Sequence, residues 1–257
     1  MSTRNTPQEA TTALHDVDRH LATLKLAFMA EHYAPLAQHA AQKTWSHVDY
    51  LTRLAEGEVH LRQDRATQSR IRLARFPVIK TLEQFRWDWP TQINRLQVQH
   101  HFHLEFIKAR ANVIFLGGVG LGKTHLATAL GYAACLKGCA VLFASAIEVI
   151  NALAAAKSAG RLKQELKKYT KPALLILDEL GYLPIDKTGA DLLFQVISLR
   201  YECGSIIITS NRVFKEWPKI FNNDSTLTSA ILDRLLHHAE IVLIEGKSFR
   251  MKDQIER

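Results

Sequence analysis

The run Gly117-Gly118-Val119-Gly120-Leu121-Gly122-Lys123-Thr124, entered from the apolar stretch 112–116, constrains this chain more than any other feature. It fills every required position of the Walker A pattern, Gly-x-x-x-x-Gly-Lys-Ser/Thr, with a strand leading in and a helix leading out. Each residue type has a reason. Glycines let backbone amides fold around an anion, the lysine reaches the β- and γ-phosphates, and the threonine hydroxyl coordinates magnesium. The helix that follows aims its N-terminal amides and positive dipole end at the same phosphates. Residues 117–124 are therefore read as an ATP-binding loop and Thr124 as a metal ligand. His125 is a helix-face residue near the nucleotide.

The texture after residue 111 agrees. Aliphatic or β-branched runs at 112–116, 140–144, 173–177, 205–209 and 240–244 alternate with segments of helical length, such as 124–137 and 190–202. Near-continuous apolar strands separated by helices predict an α/β domain with a parallel five-stranded sheet covered on both faces. The strand at 173–177 ends in Asp178 and Glu179, a Walker B pair. Asp178 at the strand edge belongs beside the magnesium ion, and Glu179 orients and deprotonates an attacking water. That pair favours a hydrolase over a small-molecule kinase, where a water-activating glutamate would waste ATP. The strand at 205–209 leads to Ser210 and Asn211, and Asn211 can hydrogen-bond the γ-phosphate or the water. Arg234 is either a helix-surface residue in a salt bridge or an arginine finger given to a neighbouring subunit.

The first hundred residues differ. Leu14, Val17, Leu21, Leu24 and Phe28 alternate in steps of three and four, which predicts one face of a helix. Ser46 and Asp49 resemble a capping box opening a second helix, with Val48, Leu51, Leu54 and Ala55 as its buried stripe. Gly57 is the only glycine before Gly117. The expected organisation is a helical domain over 1–75, a linker over 76–110 and the nucleotide-binding domain over 111–257. The linker carries Pro77, Phe85, Trp87, Trp89 and Pro90; Phe85 and Trp87 either pack near the adenine or join linker to core.

Composition narrows the partners. With 257 residues the chain needs no disulfide or metal to hold a core. Lys and Arg number 33 against 25 Asp and Glu, a net +8 that favours a polyanionic partner, with nucleic acid the first candidate. Arg62, Arg65, Arg70, Arg72 and Arg75 form one dense basic set, read either as a solvated helix or as phosphate contacts. Lys157, Arg161, Lys163, Lys167 and Lys168 form a second, suited to backbone-driven, salt-sensitive DNA contact. Three cysteines without a paired motif indicate reduced thiols in a cytoplasmic protein. The N-terminus has no signal-peptide core, and no apolar run reaches the ~18 residues of a spanning helix. His100, His101 and His103 are read as linker surface in preference to a metal site.

Several strings together resemble one family. These are 117–127 with Ala129-Leu130-Gly131, then Leu177 to Pro184, Arg200-Tyr201-Glu202 with Thr209-Ser210-Asn211, and Ala230 to His238. Leu24-Lys25-Leu26 and Gly246 to Arg250 extend the likeness over nearly the whole chain. The chain resembles the IstB-like helper ATPases of insertion sequences, in the AAA+ branch shared with DnaC-type helicase loaders. The resemblance implies ATP and magnesium as cofactors, and a homo-oligomer that shares ATP sites and assembles on duplex DNA. It also implies deformation of that DNA and delivery of the target to a transposase; a DnaC-type loader is the alternative. It implies Asn211 as first sensor, Arg234 as the trans-acting arginine and Arg250 as a second-sensor arginine. With Ser248-Phe249-Arg250 so near the end, the helical lid of larger relatives is expected to be absent.

Overall fold

A computed structural model describes residues 16–251; Leu14 lies outside them. The strand-like runs form strands because they are rich in aliphatic residues; those at 112–116, 174–177 and 205–208 are buried on both faces, while the run at 239–245 buries one face only. β2 (Asn112–Gly117), β3 (Val141–Ser145), β4 (Leu174–Leu180), β5 (Ser205–Ser210) and β6 (Ala239–Glu245) pair in parallel in the order β6-β2-β5-β4-β3. The sheet has a sixth strand. β1 (Gln92–Ile93) pairs antiparallel with β6 from within the segment assigned to the linker. Two residues are too few to show a period-2 pattern, so this edge strand leaves no trace in the sequence. The same segment also holds two short helices, α4 (Arg95–His101) and α5 (Glu105–Lys108).

Alternate residues of the central strands feed two cores. Ile114, Leu116, Leu175, Leu177, Ile206 and Ile208 face one layer, with α7 (Ala146–Ser158), α9 (Lys187–Arg200) and α11 (Ser225–Leu236). Val113, Phe115, Leu174, Ile176 and Ile207 face the other, with α6 (Lys123–Leu136) and Phe85. Phe85 and Trp87 thus join this segment to the core, edge to face at 4.9 Å. Side-chain caps set several helix starts. Ser145 and Glu148 close a capping box on α7, Asp186 caps α9 and Asp224 caps α11. Between α7 and β4 lies α8 (Leu162–Thr170), which turns Tyr169 inward and leaves Lys163, Lys167 and Lys168 exposed. No helix among the described residues is long and apolar enough to cross a membrane.

Arg200, at the end of α9, is 1 % exposed and meets no carboxylate among its hydrogen-bond partners. Its guanidinium donates to the carbonyls of Tyr169, Pro172, Ala173 and Ser205 at 2.7–3.1 Å. Burial pushes its pKa down to about 10, so it stays charged at neutral pH. Removing it strands four acceptors, each costing ~1–3 kcal/mol if left dry. Arg200→Met is therefore expected to lower stability by about 3 kcal/mol or more in a denaturant melt.

Chain contacts separate residues 1–68 from 69–257. The first unit holds α1 (residues 16–23), α2 (Ala27–Gln42) and most of α3 (His47–Ala74), which runs on into the second. The single face expected from Val17 to Phe28 is interrupted. Lys25 adopts φ 56°, Leu26 N–H reaches the Leu21 carbonyl and Lys25 N–H the Ala22 carbonyl, a Schellman stop made without glycine. Leu24 is left exposed. α2 has no cap of its own; the Glu58 carboxylate, from α3, accepts from Phe28 N–H (2.8 Å) and Met29 N–H (3.3 Å). Burial alone would raise the Glu58 pKa, but bonds from Arg62 and those two amides hold it below the usual range.

The Ser46–Asp49 capping box forms as expected, with Asp49 N–H on Ser46 Oγ at 3.1 Å and Ser46 N–H on Asp49 Oδ2 at 3.2 Å. The buried stripe does not. Leu54 is buried, but Val48 is 72 % and Leu51 60 % exposed. The inward line of α3 instead passes through Leu54 and Glu58, where Gly57 lets Phe28 lie on the helix; a Cβ there would collide with its ring. That close approach explains a glycine in a helix interior, where it costs ~0.5–1 kcal/mol against alanine.

Candidate functional site

β2 delivers the chain into the glycine loop, and α6 leads it away from Lys123. Gly120 and Gly122 have φ of 75° and 87°, which side chains with a Cβ rarely adopt. Space excludes other residues as well. A Cβ on Gly120 would strike the Ser248 hydroxyl, and one on Gly122 the Phe85 ring. The Lys123 ammonium folds over the loop and donates to the carbonyls of Gly117 (2.8 Å) and Gly118 (2.7 Å). Burial pushes its pKa down, Asp178 opposes that, Arg250 adds to it and Glu179 opposes it again. Both acidic side chains and Arg250 therefore share the electrostatic field of this lysine.

Behind the loop, Thr124 Oγ1 donates to Asp178 Oδ1 at 3.0 Å and lies 3.2 Å from Oδ2. Asp178 is buried, and Thr209 at the end of β5 gives it a second hydroxyl donor. Glu179 follows with an exposed side chain and a left-handed backbone, φ 59°. The β4–β5 ladder pairs Leu177 with Ile208 and then Leu180 with Ser210. Two residues, Asp178 and Glu179, thus stand opposite Thr209 alone, which defines a β-bulge. Glu179 N–H donates to Thr209 Oγ1 at 2.9 Å. Thr209 was legible as the end of a strand and as part of the string Thr209-Ser210-Asn211, without a role of its own.

Asn211 follows β5 and lines a cavity of about 330 Å³ with Gly117 and Gly118. Arg250 lines a second cavity, about 540 Å³, together with Gly120–Thr124, His125, Phe85, Trp89 and Phe249. The C-terminal strap is pinned there. Phe249 N–H donates to the Gly120 carbonyl (2.9 Å), Trp89 Nε1 to the Lys247 carbonyl (2.8 Å), and the Trp89 and Phe249 rings meet edge to face at 5.3 Å. His125 Nε2 donates to the Thr81 carbonyl at 2.8 Å, and burial pushes its pKa down, so the ring ties α6 to the 76–90 segment as a neutral group. Arg234 is elsewhere. Its guanidinium lies 4.9 Å from the Phe194 ring and bonds the Ala230 carbonyl. It shares a small cavity with Asn112 and Ile206, at the opposite ends of β2 and β5 from the loop.

Of the three histidines expected at the linker surface, His101 is instead buried in α4, while the His100 and His103 rings meet at 5.8 Å; among the described residues the only trio with metal-ligating spacing is Glu202, His237 and His238, all exposed. The loop, Asp178, Glu179, Asn211 and Arg250 gather at one edge of the sheet. That edge offers an anion cradle, a half-buried cation, hard oxygen donors and an exposed carboxylate, a set suited to a magnesium triphosphate.

Residues 19–257 match the family model described as IstB-like ATP binding protein. A protein described as ATP-binding in insertion sequence IS232 of Bacillus thuringiensis subsp. berliner is 39 % identical over 254 residues, 99 % of this chain and 98 % of that one. Its counterpart in IS21 of Pseudomonas aeruginosa is 40 % identical, over 94 % of this chain and 91 % of that one. Among solved structures, a DNA replication initiation factor is similar over 68 % of this chain and 53 % of its own, at 26 % identity and TM-score 0.53. AMPPCP-bound DnaA from Aquifex aeolicus has a TM-score of 0.56 over 71 % of this chain and 55 % of its own; at 23 % identity it shows the fold alone.

Proposed function

The chain belongs to the IstB-like ATP binding protein family, and on that premise we propose that it is an ATPase that assembles on duplex DNA as helper to a transposase. The observation that carries the catalytic part is the placement of Thr124, Asp178 and Glu179 within reach of Lys123 at the loop. Thr124 and Asp178 would hold magnesium, which supplies charge neutralisation to the bound phosphates. Lys123 exchanges two neutral carbonyls for phosphate oxygens. Glu179, with its side chain exposed, takes the proton of the attacking water, and Asn211 orients that water or the terminal phosphate from the neighbouring strand. The 540 Å³ cavity walled by Phe85 and Trp89 takes the base, and Arg250 sits at its rim to meet the phosphates.

Arg234 lies too far along the strands to act on its own chain's loop, so the reading gives it to the site of a neighbouring copy. Turnover then depends on assembly. Exposed Lys157, Arg161, Lys163, Lys167 and Lys168 supply backbone contacts to DNA, without base readout. Names of relatives from insertion sequences favour service to a transposase over loading of a helicase.

The test is sedimentation and gel shift with ATP, magnesium and duplex DNA of arbitrary sequence. ATP-promoted assembly that weakens steeply with salt is expected. A monomer that ignores duplex under all nucleotide conditions would refute the proposal. Capture of a replicative helicase in place of a transposase would transfer the chain to the loader class.

A further inference from the structure

A strand that carries two successive carboxylates must send them to opposite faces unless its pleat is interrupted. Here the interruption is the bulge at Asp178 and Glu179, and Thr209 closes it. The Thr209 side chain spends both of its capacities on this: its hydroxyl hydrogen goes to Asp178 Oδ1, and its oxygen accepts the Glu179 N–H that the bulge takes out of the ladder. Thr209 is buried, so water does not substitute for either bond. The bulge re-aims the second carboxylate, and both then act on Lys123.

Thr124 donates to the same carboxylate. Its hydroxyl is therefore committed to Asp178, and Thr209 is the donor that remains on Asp178 if Thr124 turns to a metal ion. From this geometry we infer that Thr209 is a positioning residue: one hydroxyl that fixes the metal-binding carboxylate and the left-handed backbone of the water-activating one at once. The inference rests on the ATPase reading above. Thr209 itself touches no substrate.

Thr209→Val keeps the shape and removes the hydroxyl; Thr209→Ser keeps it. Three measurements separate the possibilities: magnesium-ATP affinity by calorimetry, steady-state phosphate release, and hydrogen exchange at the Glu179 amide. Thr209→Val is expected to keep ATP affinity within about threefold and lose at least ~10-fold in kcat, within the range general-base catalysis supplies. Its Glu179 amide should exchange markedly faster. Thr209→Ser should restore both kcat and amide protection to within about threefold of the parent.

An unchanged kcat in Thr209→Val, or equal loss of ATP affinity and kcat together with a broad fall in exchange protection, would overturn the inference. If Thr209→Val does not fold, Thr209→Ser decides alone: a tenfold lower kcat with an intact Glu179 amide would overturn it. Absence of ATP turnover in the parent protein is a different failure. That result removes the ATPase reading, while the exchange of the Glu179 amide still reports whether Thr209 holds the bulge.

Discussion

Lys123→Ala is expected to reduce ATP affinity by roughly 30- to 5,000-fold, the equivalent of ~2–5 kcal/mol for truncating one partner of a desolvated charge pair. The ammonium is partly buried and already perturbed, since burial lowers its pKa while Asp178 and Glu179 pull it back. Lys80, the other lysine lining the 540 Å³ cavity, lies on the 76–90 segment and not on the glycine turn. In the absence of nucleotide the change is mild. Lys123 bonds only two loop carbonyls, and Gly118 is exposed to water. Calorimetric titration with ATP and a thermal melt check both parts: affinity should collapse while the melting temperature moves little. Unchanged affinity would remove Lys123 from the site.

Glu179→Gln should separate binding from turnover. The substitution keeps the side-chain volume and leaves the backbone bond to Thr209 in place, so the bulge survives. What it removes is the capacity to take a proton. The expected loss in kcat is ~10²–10⁴-fold, with ATP affinity close to that of the parent protein. Because hydrolysis would no longer dismantle the complex, ATP-dependent assemblies on DNA should persist for longer in sedimentation experiments. Preserved phosphate release in the variant would show that Glu179 is not the base.

How far the sequence revealed this arrangement depended on whether the physics was local. Runs such as Ile206-Ile207-Ile208 are buried on both faces, so continuous apolarity was enough to place the central strands; β6 buries only Val242 and Ile244, yet its aliphatic run 241–244 still marked it. The sixth strand, Gln92–Ile93, exists only because β6 offers it an edge, and no pattern within two residues records that. The helical unit was less legible. Lys25 ends α1 in a conformation usually left to glycine, and of the expected stripe Leu54 is buried while Leu51 is exposed. At the candidate site, Thr124 and Asp178 could be matched from their motifs, and the fold brings them to 3.0 Å. The bulge at Glu179 and the strap of Ser248 and Phe249 over Gly120 depend on strand register and long-range packing, which spacing does not encode.

Arg200 has a consequence for how the fold keeps its shape. All four of its acceptors are peptide carbonyls, which gain and lose no protons, and its depth limits screening by dissolved ions. The junction it staples is therefore indifferent to acidity and ionic strength over the ordinary range. Changes of charge at the opposite edge of the sheet, where Lys123, Asp178 and Glu179 meet, act against a chassis that does not answer them.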